Sequence, residues 1–267
     1  MGMKNLVLGL IFILSQYKTS AGDDFCAGSN FTFMGGEKVV FKVFYNVIGI
    51  YVDAGTATFT VSKEKLGTKD VFHIVGDGKS NPSYDWIFKV RDRYETFLDT
   101  LTLKPYKFLR AVDEGGYLTN ENVTFNHEAG TATSTNGVFK VPSCVQDVMS
   151  AIYFARNINY NKLKVDDRIP FSMFIDDQVN NIFIRYAGKE EIKTRYGKFN
   201  AIKIKPLLLK GNVFDGGEKM TIWVSDDSNH IPLRIETPIA VGSIKVDMMN
   251  YANIKYPLTS KINGDRP

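Results

Sequence analysis

Apolar and polar residues alternate along most of this chain with the two-residue period of a half-buried β-strand. Between positions 36 and 61, Val39, Phe41, Val43 and Tyr45 alternate with Lys38, Lys42 and other residues, and Ala57, Phe59 and Val61 alternate with threonines and a serine. Similar β-branched and aromatic runs recur at 71–75, 86–98, 107–112, 123–126, 169–175, 179–187, 201–208, 219–224, 232–236 and 242–250. Turn-forming clusters separate them: Asp113-Glu114-Gly115-Gly116, His127-Glu128-Ala129-Gly130, Ala187-Gly188-Lys189, Tyr196-Gly197-Lys198 and Asp226-Asp227-Ser228-Asn229. Gly and Asn tolerate positive φ there, and Asp bonds its own backbone. Many short strands joined by such tips predict a mainly β fold, a large curved antiparallel sheet or open barrel.

One stretch departs from this period. Val145, Val148, Met149, Ile152 and Tyr153 fall at the i, i+3, i+4, i+7, i+8 spacing of a helix face. The pattern predicts an amphipathic helix over about 144–157, with Ser143 as N-cap, Gln146 in capping-box position and Pro142 ending the strand before it. Its apolar stripe must be buried, and the concave side of the sheet is the surface on offer.

The first 21 residues follow neither pattern. Lys4 precedes a nine-residue apolar core at 6–14, and Thr19-Ser20-Ala21 offers small residues for cleavage, which together read as an export signal peptide. The core is too short to span a bilayer about 30 Å thick, and no later run approaches the roughly 20 apolar residues required, so no membrane span is expected. Residues 22–267 then form a single β-rich domain, soluble and periplasmic, with a loosely held tail from about 256. The first thiol, Cys26, follows Asp23-Asp24-Phe25, which is no lipid-attachment context.

Export changes the reading of charge and cysteine content. The 33 basic and 29 acidic residues give a net charge of +4, and losing Lys4 and Lys18 with the leader brings it to +2, with no basic block to suggest nucleic acid. Cys26 and Cys144 reach an oxidising compartment, where two cysteines most simply make one disulfide. A reactive thiol at Cys144, near the start of the expected helix, is the alternative.

The run Phe33-Met34-Gly35-Gly36-Glu37-Lys38-Val39-Val40-Phe41, then Ala54-Gly55-Thr56-Ala57 and Tyr94-Glu95-Thr96-Phe97-Leu98-Asp99 with Pro105 and Phe108, resembles the opening half of an exported bacterial family known as domain of unknown function 3108. The second half is similar too, through 147–156 (DVMSAIYFAR), Gly197-Lys198-Phe199, Lys205-Pro206 and Trp223-Val224-Ser225-Asp226-Asp227 with Ile231-Pro232. The resemblance spans about 31–250. It implies a large antiparallel sheet wrapped partly around a helix, similar to the periplasmic lipoprotein carriers, and no established activity. Fold likeness transfers no function by itself.

Catalytic constellations are not evident. There is no Gly-x-Ser-x-Gly elbow, His-Glu-x-x-His, P-loop or dinucleotide fingerprint. His73, His127 and His230 are far apart and read as structural, without a metal-ligand spacing. The pairs Asp166-Asp167, Asp176-Asp177 and Asp226-Asp227 read as turn caps, and Asp99 as an ion-pair partner near Arg91 and Arg93. The sequons at Asn30 and Asn122 read as chance matches. The 19 Phe, 13 Tyr and 2 Trp residues supply a core, with enough left to line an apolar groove between sheet and helix. Trp86, Phe88, Met149, Tyr153 and Trp223 are the expected groove wall. These features point to a non-catalytic periplasmic binding or envelope-assembly factor, with an apolar ligand or an envelope protein as partner and no metal or cofactor. The rival readings are an envelope glycan or lipid hydrolase using Asp99 or Asp226-Asp227, and a protein-interaction scaffold.

Overall fold

The computed structural model describes residues 28–209, 216–239 and 242–262. The expected leader and Cys26 lie outside these residues. The chain first runs as a meander of eight strands, β1 (Lys38–Val47), β2 (Ile50–Leu66), β3 (Lys69–Ser80), β4 (Val90–Asp99), β5 (Pro105–Glu114), β6 (Tyr117–Asn126), β7 (Thr131–Ser134) and β8 (Gly137–Lys140). It then forms the helix α1 (Val148–Ala155) and a second group of strands. These are β9 (Arg168–Ile175), β10 (Gln178–Thr194), β11 (Gly197–Pro206), β12 (Thr221–Ser225), β13 (Pro232–Pro238), β14 (Ser243–Ala252) and the short β15 (Lys261–Ile262).

Two meanders fuse into one sheet because β14 returns to pair antiparallel with β1, with Val43 opposite Val246 and Tyr45 opposite Ile244. The order is β8-β7-β6-β5-β4-β3-β2-β1-β14-β13-β12-β11-β10-β9, with β15 on β11. All the strand pairs are antiparallel, and the sheet does not close by a strand ladder between its edges β8 and β9. This is the expected open barrel around one helix. No helix among the described residues is long and apolar enough to cross a membrane.

The gap between the edges is bridged by other means. The segment before α1 runs beside β9, where Gln146 accepts from Phe174 N–H at 2.8 Å and donates its own N–H to Ser172 at 2.9 Å. On the far side, Arg110 of β5 pairs with Asp176 in the β9–β10 turn and with Glu121 of β6 at 3.1 Å. Asp176 N–H donates to Glu121 Oε1 at 3.0 Å, and Asn136 Nδ2 donates to Asp177 at 2.6 Å. A polar latch therefore holds the barrel where backbone pairing stops.

This use of the Val145-Gln146 segment explains why the helix is shorter than expected. Gln146 serves the edge of β9, so the N-cap is Asp147 in place of Ser143, and the helix ends at Ala155. Asp147 Oδ1 accepts from Ser150 N–H at 2.8 Å, and Ser150 Oγ accepts from Asp147 N–H at 2.7 Å, which closes a capping box with an acidic cap. The amphipathic stripe is also corrected. Met149, Ser150, Ala151, Tyr153, Phe154 and Ala155 are all buried, so the helix is enclosed on nearly every side, its small residues permitting close approach of the strands.

Both ends of α1 are tied to the wall. Asp147 Oδ2 accepts from the Thr96 hydroxyl of β4 at 2.6 Å. Arg156 forms a fully buried fork to Glu37, with nitrogens 2.5 and 2.9 Å from the two carboxylate oxygens, and also donates to the Asn229 carbonyl. One apolar core gathers around the helix, including Phe33, Phe72, Ile74, Leu98, Phe108, Phe174 and Ile202. A second joins Val39, Phe41, Ile192, Phe199, Trp223, Leu233 and Met248. The segment from Tyr256, expected to be loosely held, is fastened as far as Ile262. Asn229 Nδ2 donates to the Tyr256 carbonyl at 3.0 Å, Asn200 N–H donates to Ser260 at 2.8 Å, and β15 pairs with β11.

Candidate functional site

The five expected groove residues occupy three separate places. Met149 and Tyr153 sit in the first core: the end of the Met149 side chain lies within about 3.3 Å of where a Cβ at Gly76 would be, and the Tyr153 ring meets Phe33 edge-on at 4.9 Å. Trp223 lies in the second core and donates its indole N–H to Glu190 at 2.6 Å. Trp86 and Phe88 are in solvent, on the β3–β4 connection. The space between sheet and helix is filled at Met149 and Tyr153, and a group of exposed apolar side chains remains at one end of the barrel, while Leu101 and Val165 are exposed elsewhere.

Successive antiparallel strands reverse direction, so the β1–β2, β3–β4 and β5–β6 connections share that end. They present Ile48 (96% exposed), Ile50 (69%), Trp86 (83%), Ile87 (63%) and Leu118 (70%). The β3–β4 connection is built to hold its shape. Asn81 caps a short 3₁₀ turn, Pro82–Tyr84, by accepting from Ser83 N–H, and Tyr84 O accepts from the amides of Ile87 at 2.9 Å and Phe88 at 3.2 Å. Trp86 donates its indole N–H to Ser83 O at 3.1 Å. Arg91 clamps Asp85 at 2.6 Å. The Phe88 ring lies over Gly115 in the β5–β6 turn, where a Cβ would come within 2.4 Å of the ring and φ is +60°. Only glycine fits there, and its absence of a side chain joins two of the tips into one apolar rim.

Below the rim, β4, β5 and β6 carry charged groups in positions whose neighbours are apolar. Asp92 and Arg110 share the interior face with Thr96, Leu98, Phe108 and Val112. Burial, reinforced by the neighbouring Glu114 carboxylate, pushes the Asp92 carboxyl up to about 7. Burial likewise pushes the Tyr94 phenol up to about 12, and raises Glu121 against the pull of Arg110. On the outer face a depression of about 310 Å³ is lined by Arg93, Glu95, Leu109, Asn120 and Asn122 among others. There Arg93 donates to Glu95 at 2.7 Å and to Asp77, and His73 Nε2 lies 2.8 Å from Glu95. Burial opposes ionisation of Glu95, but the Arg93 and His73 bonds outweigh it and hold its carboxyl below the usual range.

The carboxylates of the hydrolase reading are held by turns. Asp99 accepts from the Tyr106 hydroxyl at 2.6 Å and from the amides of Leu101 and Thr102. Asp226 pairs with Lys189 at 2.8 Å, and Asp227 accepts from Ser225, Asn229 and Ser260. The two groups lie in the β4–β5 and β12–β13 turns and form no shared cleft. The histidines are equally dispersed. His127 sits between the Pro105 and Ser143 carbonyls, and His230 against the Arg156 carbonyl. Sequence reasoning missed the Arg110–Glu121–Asp176 latch and the Asp92–Glu114 pair. The signal was present, since both Asp92 and Arg110 occupy the interior phase of strands otherwise apolar on that face. Of the cysteines, Cys144 is not a free thiol.

A large antiparallel sheet around a buried helix, with no ladder joining its edges, places the chain among the β-barrel-like proteins. Its sequence matches the family described as Protein of unknown function (DUF3108) over residues 40–249, and the chain belongs to that family. No curated protein matches it. Among solved structures it is similar to a β-barrel-like protein of domain of unknown function DUF1849 from Brucella abortus, with 8% identity and a TM-score of 0.56, over 83% of this chain and 99% of that one. That likeness concerns the fold alone. A protein with a YmcC-like fold from Bacteroides fragilis is 12% identical with a TM-score of 0.33, covering 85% of this chain and 100% of that one.

Proposed function

We propose that this is an exported protein of the bacterial envelope, cleaved after Ala21, whose residues 22–267 act in the periplasm as one non-catalytic domain that binds an apolar ligand. The observation that carries this reading is the rim. Several large apolar side chains from three hairpin tips stand exposed at one end of a barrel that is packed around Met149 and Tyr153. Exposed apolar clusters of this kind mark binding surfaces. Trp86 and Phe88 then touch the ligand, while Met149, Tyr153 and Trp223 belong to the two cores of the barrel. A disulfide between Cys26 and Cys144 fits the same compartment and would tie the start of the domain to the stretch preceding α1.

Native mass spectrometry of protein purified from its own periplasm tests the reading, with fatty acid below its micelle concentration as probe. A mass adduct, and a blue shift of Trp86 emission on adding the probe, are expected. A uniformly ligand-free protein whose tryptophan emission ignores fatty acid would overturn it.

A further inference from the structure

We propose that the rim docks the barrel end-on against a lipid bilayer, with Ile48, Ile50, Trp86 and Ile87 entering the boundary between headgroups and acyl chains. The proposal rests on the ligand reading only in taking this end as the apolar one. Four observations carry it.

Ile48 and Gly49 form a two-residue turn with φ of +50° and +81°. Such a turn favours Asn-Gly, and a β-branched residue at positive φ is strained. The chain nonetheless places isoleucine there, almost wholly in solvent, where packing gives no return. Strain of this sort persists where the side chain has work to do.

The β3–β4 connection keeps its polar groups to itself. Tyr84, Asp85, Ile87 and Phe88 donate their amides within the loop, and the Trp86 indole N–H is bonded to Ser83. Turns in water commonly close such bonds as well, but here they leave the exposed apolar tip with few free donors. A loop entering lipid needs this, because an unbonded amide or indole N–H there is strongly unfavourable.

Several charges at the base of the tips are neutralised in pairs: Asp85 with Arg91 at 2.6 Å, Lys89 with Asp113 at 2.6 Å, Lys42 with Asp53 at 2.5 Å and Lys245 with Glu236 at 3.0 Å. Residues 46–52 carry no charge at all. The rim therefore meets the bilayer through apolar burial, with no bid for anionic lipid.

The apolar residues also project from three separate turns. A rigid protein partner needs a complementary surface, whereas a fluid bilayer admits independent protrusions.

The test is flotation of the purified protein with vesicles of phosphatidylethanolamine containing a minority of phosphatidylglycerol. Trp86 is one of two tryptophans and the other, Trp223, is buried, so emission reports the rim. Co-flotation is expected, with a blue shift, quenching by brominated acyl chains and little change on raising the salt. Ile48→Asn combined with Ile87→Ser should lower the partition coefficient at least about tenfold, with an unfolding midpoint equal to or above that of the parent. Failure to float at saturating lipid, flotation that these substitutions leave intact, or binding abolished by salt would each overturn the proposal. So would self-association that the same substitutions remove, which would seat a second copy on the rim. A fatty-acid adduct without flotation overturns docking and leaves the ligand reading standing; flotation without any adduct does the reverse.

Discussion

The Arg156 guanidinium grips the Glu37 carboxylate with both forks, at 2.5 and 2.9 Å, where both side chains are almost completely withdrawn from water. The pair joins the end of α1 to the residue before β1, and Arg156 also stacks over the Phe33 and Tyr153 rings at 5.5 and 5.0 Å. Replacing one partner leaves a buried charge alone. Arg156→Met is expected to destabilise the protein by about 3–5 kcal/mol, and Glu37→Gln on that background to restore a good part of it. Urea titration of the two single variants and the double variant measures this; equal, additive losses would refute the coupling.

Asp147 should make stability fall between about pH 4 and pH 6. Burial pushes its carboxyl up to about 6, against the bonds from Thr96 and Ser150. Its unfolded value is near 3.9. The folded state thus holds the proton more tightly, and this contribution is complete below the unfolded value and lost as pH rises through 6. The linked change is about 3 kcal/mol. Asp147→Asn, which keeps a competent cap, should flatten that slope in denaturation curves taken across the window.

The latch predicts a local effect. Removing Arg110 takes away the cation facing Glu121 and Asp176, and Asp176 N–H depends on Glu121 as acceptor. Arg110→Met should therefore speed amide exchange in the β9–β10 turn and neighbouring β9 by tenfold or more, for a local loss of about 1.4 kcal/mol. Exchange in β1 and β14 should be unaffected. Uniform acceleration over the whole sheet would mean that Arg110 acts on global stability instead.

The proposed Cys26–Cys144 disulfide predicts no alkylatable thiol in non-reduced protein and two after reduction. Removing a long-range bridge of this kind lowers stability by about 2–5 kcal/mol, which the Cys144→Ser variant should show in a thermal melt. Two reactive thiols before reduction would dismiss the bridge.

Much of the fold can be read along the chain because alternation is local. Val39, Phe41 and Tyr45 announce a strand whatever they pair with, and Gly115-Gly116 announces a turn. The helix was visible in the same way, through Met149 and Tyr153. Its boundaries were not, because whether the residues before Asp147 continue a helix depends on β9, which lies about 30 residues downstream and pairs with Gln146. Of the expected groove wall, burial decided each residue separately. Trp86 and Trp223 look alike in sequence, yet one stands on a turn with nothing above it and the other has the β10–β11 hairpin against it.

By itself, the sequence determined the strands, the turns, the presence of one helix and the family, since hydrophobic period and turn chemistry act between near neighbours. Only the tertiary structure decided that β1 pairs with β14 some 200 residues away, that Arg110, Glu121 and Asp176 meet across an open seam, and that Ile48, Trp86 and Leu118 share one end. Those relationships depend on strand order and on which face each side chain takes, and the free energy that selects them comes from packing between segments that no local pattern connects.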